Sequence, residues 1–71
     1  MRVLLEEYRL KRNLTQAELS RRSGVPQAMI SEIETGQVKA PRITTLWKLA
    51  NALRVLVDDL VSADDDDRKA V

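Results

Sequence analysis

The chain has no cysteine, no histidine and no phenylalanine, with one tryptophan and one tyrosine. Without cysteine there is neither a disulfide nor a thiolate metal site, a composition suited to a reducing cytoplasm. Without histidine the commonest general base and the commonest zinc ligand are both missing. No apolar run reaches the roughly 18 residues of a membrane span. The opening Met1-Arg2-Val3-Leu4-Leu5 is cut by Glu6 and Glu7 before it can form a secretory core. These absences predict a soluble, cytoplasmic protein with no membrane partner. Asp58, Asp59 and the run Asp64 to Asp67 lack the spacing and the glycine of a calcium loop. Neither a metal nor a cofactor is expected. At 71 residues the chain is one domain, too small to wall a pocket around paired carboxylates, so an enzyme is not expected.

What is present is charge, unevenly divided. The net charge is +1, but residues 62–71 carry a net of −2 and the first 61 residues a net of +3. The reading is a mildly basic folded domain over residues 1–61 and an acidic, disordered tail over 62–71. A basic domain favours an anionic partner.

Leu, Ala, Glu, Arg and Lys are plentiful and strand alternation is absent, so the fold class is all-α. A first helix is predicted over about residues 3–12. Its stripe of Leu5, Tyr8, Arg9 and Arg12 mixes apolar side chains with arginine, and Asn13 is its left-handed stop. A second starts at Thr15, an N-cap completed by Glu18 as a capping box, and stops at Gly24. A third follows from about Pro26, which suits a helix start, to Gly36, with Ile30 and Ile33 inward. Residues 37–42 form a loop. A fourth helix, over about residues 44–53, shows the core stripe Leu46, Leu49, Ala50 and Leu53. A short helix or turn covers 57–61.

Two short helices joined by a tight Ser23-Gly24-Val25 turn are the signature of a helix-turn-helix, in which the second of the pair enters the major groove. Its outward face must carry groups that read base edges. Gln27 can pair with adenine, Ala28 can touch a thymine methyl, Glu32 can accept from cytosine, and Ser31 can hydrogen-bond. Phosphates need donors around it. Gln16, with Thr15 beside it, sits at a helix start, and Gln37, Lys39 and Arg42 sit in the following loop. Arg21 and Arg22 read either as a solvated face or, for Arg22 above all, as a phosphate contact.

The runs Leu14-Thr15-Gln16-Ala17-Glu18-Leu19-Ser20, Ser23-Gly24-Val25-Pro26-Gln27 and Ile30-Ser31-Glu32-Ile33-Glu34-Thr35-Gly36, continued by Leu46 to Leu53 and Val57-Asp58-Asp59-Leu60, resemble the Cro/C1-type helix-turn-helix family. The resemblance covers residues 2–61. It implies a compact, five-helix, lambda-repressor-like domain whose third helix reads DNA. It also implies a homodimer on a pseudopalindromic double-stranded operator, in the role of a transcriptional regulator, a repressor. By position Gln27, Ala28 and Glu32 match the base-reading residues, flanked by Met29 and Ser31. Gln16 matches a phosphate-clamping glutamine. Arg9 and Glu34 match a structural ion pair, and an arginine on an inward stripe needs such a partner. Three positions depart from the family. Pro26 replaces a capping Ser or Thr, Ser20 replaces an Ala, and Arg54 replaces a Gly.

Trp47 lies beside the core stripe and reads as partial core. With Val55, Leu56, Val57 and Val61 it reads alternatively as an apolar patch for dimerisation. The same patch supports a second reading, a protein-interaction module such as the antitoxin of a toxin–antitoxin pair, with DNA binding secondary. A positive surface around the third helix favours DNA, and an acidic or apolar one favours protein.

Overall fold

A computed structural model describes residues 2–62. It contains β1 (Arg2–Val3), α1 (Leu5–Lys11), α2 (Gln16–Ser23), α3 (Gln27–Thr35), α4 (Ile43–Leu53), α5 (Val57–Leu60) and β2 (Val61–Ser62). The tail predicted from composition falls, from residue 63 onward, outside the described residues.

The first helix starts later than its sequence pattern predicts. Val3 is paired opposite Val61, and Arg2 opposite Ser62, in an antiparallel ladder. The Leu4 N–H extends it by donating to the Leu60 carbonyl at 2.8 Å. Two-residue strands are too short to show alternation, and their pairing is a long-range event that local pattern cannot report. At the other end of α1, Asn13 takes the predicted left-handed conformation, with φ +56°. Arg12 reaches across the molecule. Its Nε donates to the Leu53 carbonyl at 2.9 Å, satisfying one of the orphan acceptors at the end of α4.

The capping box at α2 is present in both directions. The Glu18 N–H donates to Thr15 Oγ1 at 3.1 Å, and the Thr15 N–H donates to Glu18 Oε1 at 2.9 Å. The second bond is the main reason the Glu18 carboxyl is held below its ordinary pKa. Gly24 closes the helix at φ +78°, donating its N–H to the Ser20 carbonyl at 2.9 Å. Two hydroxyls tighten the turn that follows. Ser20 Oγ donates to the Val25 carbonyl at 2.7 Å, and Ser23 Oγ accepts from the Val25 N–H at 3.1 Å. The hydroxyl of Ser20 is thus consumed by the turn itself.

Pro26 occupies the cap position of α3 without a side-chain cap, as expected for a residue with no hydroxyl. α4 begins one residue before its predicted start, with Arg42 extended at the cap position and likewise no side-chain cap. It ends at Arg54, a non-glycine residue at φ +58°.

The core is entirely apolar. Leu5, Leu19, Ile30, Leu49, Leu53 and Leu60 are fully buried, one or more from every helix, and Leu14, Val25, Ile33, Leu46 and Ala50 close around them. The predicted α4 stripe of Leu46, Leu49, Ala50 and Leu53 is buried without exception. α4 packs against α1, α2 and α5, and α3 against α1 and α2. This arrangement leaves the outer face of α3 uncovered.

Two stability predictions follow from these local features. Because the Glu18 pKa is lowered on folding, its contribution is present above the ordinary glutamate pKa and is lost as pH falls through the lowered value. Glu18→Gln should therefore be less stable than wild type near neutral pH, with the difference closing on acidification, as read from urea midpoints across a pH series. At position 54 the left-handed backbone favours glycine, whose greater unfolded-state entropy offsets part of the relief. Arg54→Gly should stabilise the domain by about 0.5–1 kcal/mol, measured by thermal melting.

Candidate nucleic-acid interface

The exposed side of α3 is built by elimination. Ile30 and Ile33 are buried and Met29 is half-buried against the core. That leaves Gln27 and Ala28 exposed at the N-terminal end, with Ser31 and Glu32 half-exposed one turn on. Met29, which the sequence places beside the base readers, is turned largely inward, because it falls on the core side of the same helical stripe as Ile33.

Behind this face lies a charged cluster. Glu34 is the most buried carboxylate partner in the domain, with its side chain 2% exposed against 11% for Arg9. Arg9 Nε donates to Glu34 Oε2 at 2.7 Å and Arg9 Nη2 donates to Oε1 at 3.1 Å, a two-pronged pair. Arg9 Nη1 donates to the Leu14 carbonyl at 2.8 Å. Glu34 raises the Arg9 pKa, chiefly through this hydrogen bond and against the opposing effect of burial. A third donor, Gln16 Nε2, reaches Glu34 Oε1 at 2.9 Å. The cluster joins α1, the first residue of α2 and the last turn of α3. The sequence pattern names all three residues but gives no sign that Gln16 belongs to the pair.

The loop after α3 starts from Gly36, at φ +87°, and is tied back by the Val38 N–H donating to the Glu32 carbonyl at 3.1 Å. Gln37, Lys39 and Arg42 are all exposed on it. Thr15 is exposed, but its hydroxyl already accepts from the Glu18 N–H in the capping box. Arg22 sits elsewhere, lining a hollow with Arg12, Leu53 and Arg54 at the C-terminal end of α4 rather than joining Gln16 and Lys39.

The apolar patch differs from its predicted composition. Trp47 is 61% exposed, so it is not core, and Leu56 is 70% exposed. Val55, Val57 and Val61 are half-buried against the core, with Val61 engaged in the ladder with Val3. Ile43, one turn before Trp47 on α4 and 66% exposed, joins the patch instead. Its i, i+4 spacing to Trp47 was the available signal. Ile43 and Trp47 line one shallow hollow, and Trp47, Val55, Leu56 and Val57 line the next, so the two are continuous through the indole.

With five helices, a glycine-closed turn and an uncovered third helix in place, comparison with known proteins identifies the family. A helix-turn-helix family model matches residues 5–60. The chain belongs to the helix-turn-helix family, of the Cro/C1 type. The HTH-type transcriptional repressor RghR of Bacillus subtilis is 40% identical over 57 residues, 80% of this chain and 42% of that one. An HTH-type transcriptional regulator of Methanothermobacter thermautotrophicus is 36% identical over 70 residues, 97% of this chain and 100% of that one. A chain of a SinR protein/SinI protein complex superposes with a TM-score of 0.78 at 27% identity, over 93% of this chain and 69% of that one. The chain spans 42% of the length of its Bacillus relatives RghRB and RghR.

The helix-turn-helix family consists of DNA-binding transcriptional regulators and not of enzymes. In this helix-turn-helix chain, α2 and α3 form the motif. Among the described residues no helix is long and apolar enough to cross a membrane.

Because Glu34 is the only carboxylate partner of a nearly buried guanidinium apart from Glu6 at 4.0 Å among the described residues, its removal strands a charge. Glu34→Ala should cost about 3–5 kcal/mol. Replacing both partners, as Arg9→Met with Glu34→Leu, should recover a substantial part of that loss in urea denaturation.

Proposed function

We propose that this domain binds operator DNA as a homodimeric repressor in the cytoplasm, with α3 in the major groove. The observation that carries the reading is the uncovered face of α3, where Gln27 and Ala28 stand exposed while Ile30 and Ile33 anchor the helix behind them. Gln27 would read adenine, Ala28 a thymine methyl, and Ser31 and Glu32 neighbouring base edges. Gln16, Lys39 and Arg42 would hold phosphates and set the register, with Gln37 beside them. Lys39 and Arg42 outnumber Glu32 on this surface, and the charge of Glu34 is cancelled by Arg9. The surface is therefore positive on balance, which supports DNA over a protein as its partner. The repressor assignment is supported by the name of the relative RghR.

The exposed Ile43, Trp47 and Leu56 supply the dimer contact in this reading. Three large apolar side chains, each more than half exposed, cost solvation free energy that a second copy would recover. A two-fold dimer would present two copies of α3 about one helical turn apart along the duplex.

In vitro selection from random duplexes tests the reading directly, and a two-fold symmetric motif is the expected product. No enrichment, with equal weak binding to every sequence, would refute it. On the selected operator, Gln27→Ala should lose about 1–3 kcal/mol of preference at one base pair. Lys39→Ala should instead weaken all sequences alike and flatten the salt dependence by about 0.9 in log–log slope. Trp47→Glu should leave circular dichroism unchanged but give a monomer in sedimentation equilibrium at concentrations where wild type is dimeric.

A further inference from the structure

We infer that Glu34 is a positioning residue for DNA binding, holding the Gln16 amide in the orientation that meets a phosphate. The inference rests on the proposed phosphate contact of Gln16 and assigns the group that prepares it. Gln16 is the first residue of α2 and its side chain is only half-exposed. One of its two amide N–H bonds is committed to Glu34 Oε1 at 2.9 Å. In a planar primary amide the second N–H then points away from Glu34, at a fixed angle. The backbone N–H of Gln16 lies in the first turn of α2, where no intrahelical acceptor exists. An anion meeting this end of α2 therefore finds two donors from one residue, one of them held in advance.

A carboxylate beside a phosphate site would ordinarily repel the ligand. Here the two-pronged bond from Arg9 cancels the charge, with both Glu34 oxygens engaged. Glu34 can hold the amide without charging the site. A side chain as long as glutamine also gives up less rotamer freedom on binding when it is already tethered, so the tether appears as affinity.

A double-mutant cycle on the full chain tests this, with a pool of random-sequence duplexes as a sequence-neutral probe and affinity measured across a salt series. Gln16→Ala is expected to weaken binding about three- to tenfold. Because the amide carries no charge, the log–log salt slope should stay as in wild type. Arg9→Met with Glu34→Leu removes the acceptor of the Gln16 amide without stranding the guanidinium and without changing the net charge. It is expected to weaken binding by a similar factor in the wild-type background and to add nothing in the Q16A background. An equal loss in both backgrounds would show that Glu34 acts only through general stability and would overturn the inference. No effect of Gln16→Ala on affinity would overturn the phosphate contact itself, a separate and distinguishable failure. Should the double replacement fail to fold by circular dichroism, NMR of the free wild-type protein decides. Slowed exchange of the Gln16 side-chain amide protons, with one fixed χ1 rotamer, is expected, and rotamer averaging would overturn the proposal.

Discussion

A carboxylate buried to 2% exposure has to be answered by donors, and the response to Glu34 organises the half of this domain that carries α3. Arg9 answers it from α1, Gln16 from the start of α2, and Arg9 then ties off the Leu14 carbonyl between those helices. A purely apolar contact would hold the same helices together, because burial is non-directional. It would not fix the rotation of α3 about its axis. Hydrogen bonds of 2.7 to 3.1 Å to two named oxygens impose an angle as well as a distance. In the proposed reading, where the outer face of α3 meets a row of base edges, that angular constraint would matter more than the modest net energy of the pair.

The remaining constraints work at the ends of elements. The α2–α3 turn is closed by a left-handed Gly24 and two serine hydroxyls, leaving little freedom for α3 to swing relative to α2. Arg12 caps the end of α4, and the ladder between β1 and β2 joins the first and last described elements. Each device uses a hydrogen bond with high sequence separation or a special φ angle. A chain this short has a small core, so it relies on such closures in proportion.

Legibility in the sequence followed the range of the interaction. The capping box at Thr15 and Glu18, the glycine stops at 24 and 36, the left-handed Asn13 and the α4 stripe are local patterns, and each was readable. The β1–β2 ladder was not, because two residues carry no periodicity and the partner lies about sixty positions away. Arg9 and Glu34 were readable as a pair through family resemblance, but the third member was not. Nothing in the residue type of Gln16 distinguishes an amide that is free from one already bound to a carboxylate. The apolar patch was half legible for a related reason. Val55, Val57 and Trp47 are equally apolar in sequence, and only packing decides that the valines are half covered while the indole is exposed.

The two surfaces are mechanically linked because α4 serves both. Its inner stripe supplies Leu46, Leu49, Ala50 and Leu53 to the core on which α2 packs, and its outer face carries Ile43 and Trp47. Arg42, a proposed phosphate contact, holds the cap position at its start, and Leu56 follows its left-handed end at Arg54. A copy seated on the outer face would bind the folded state alone, since the patch exists only when α4 and the residues after it are assembled. By mass action it would raise the stability of the very core that orients α3. A domain near the lower size limit for independent folding can thus gain rigidity from its own concentration, without a larger core. The exposed indole is a cost to the monomer, and in the proposed dimer the same cost would make assembly and a well-held α3 a single event.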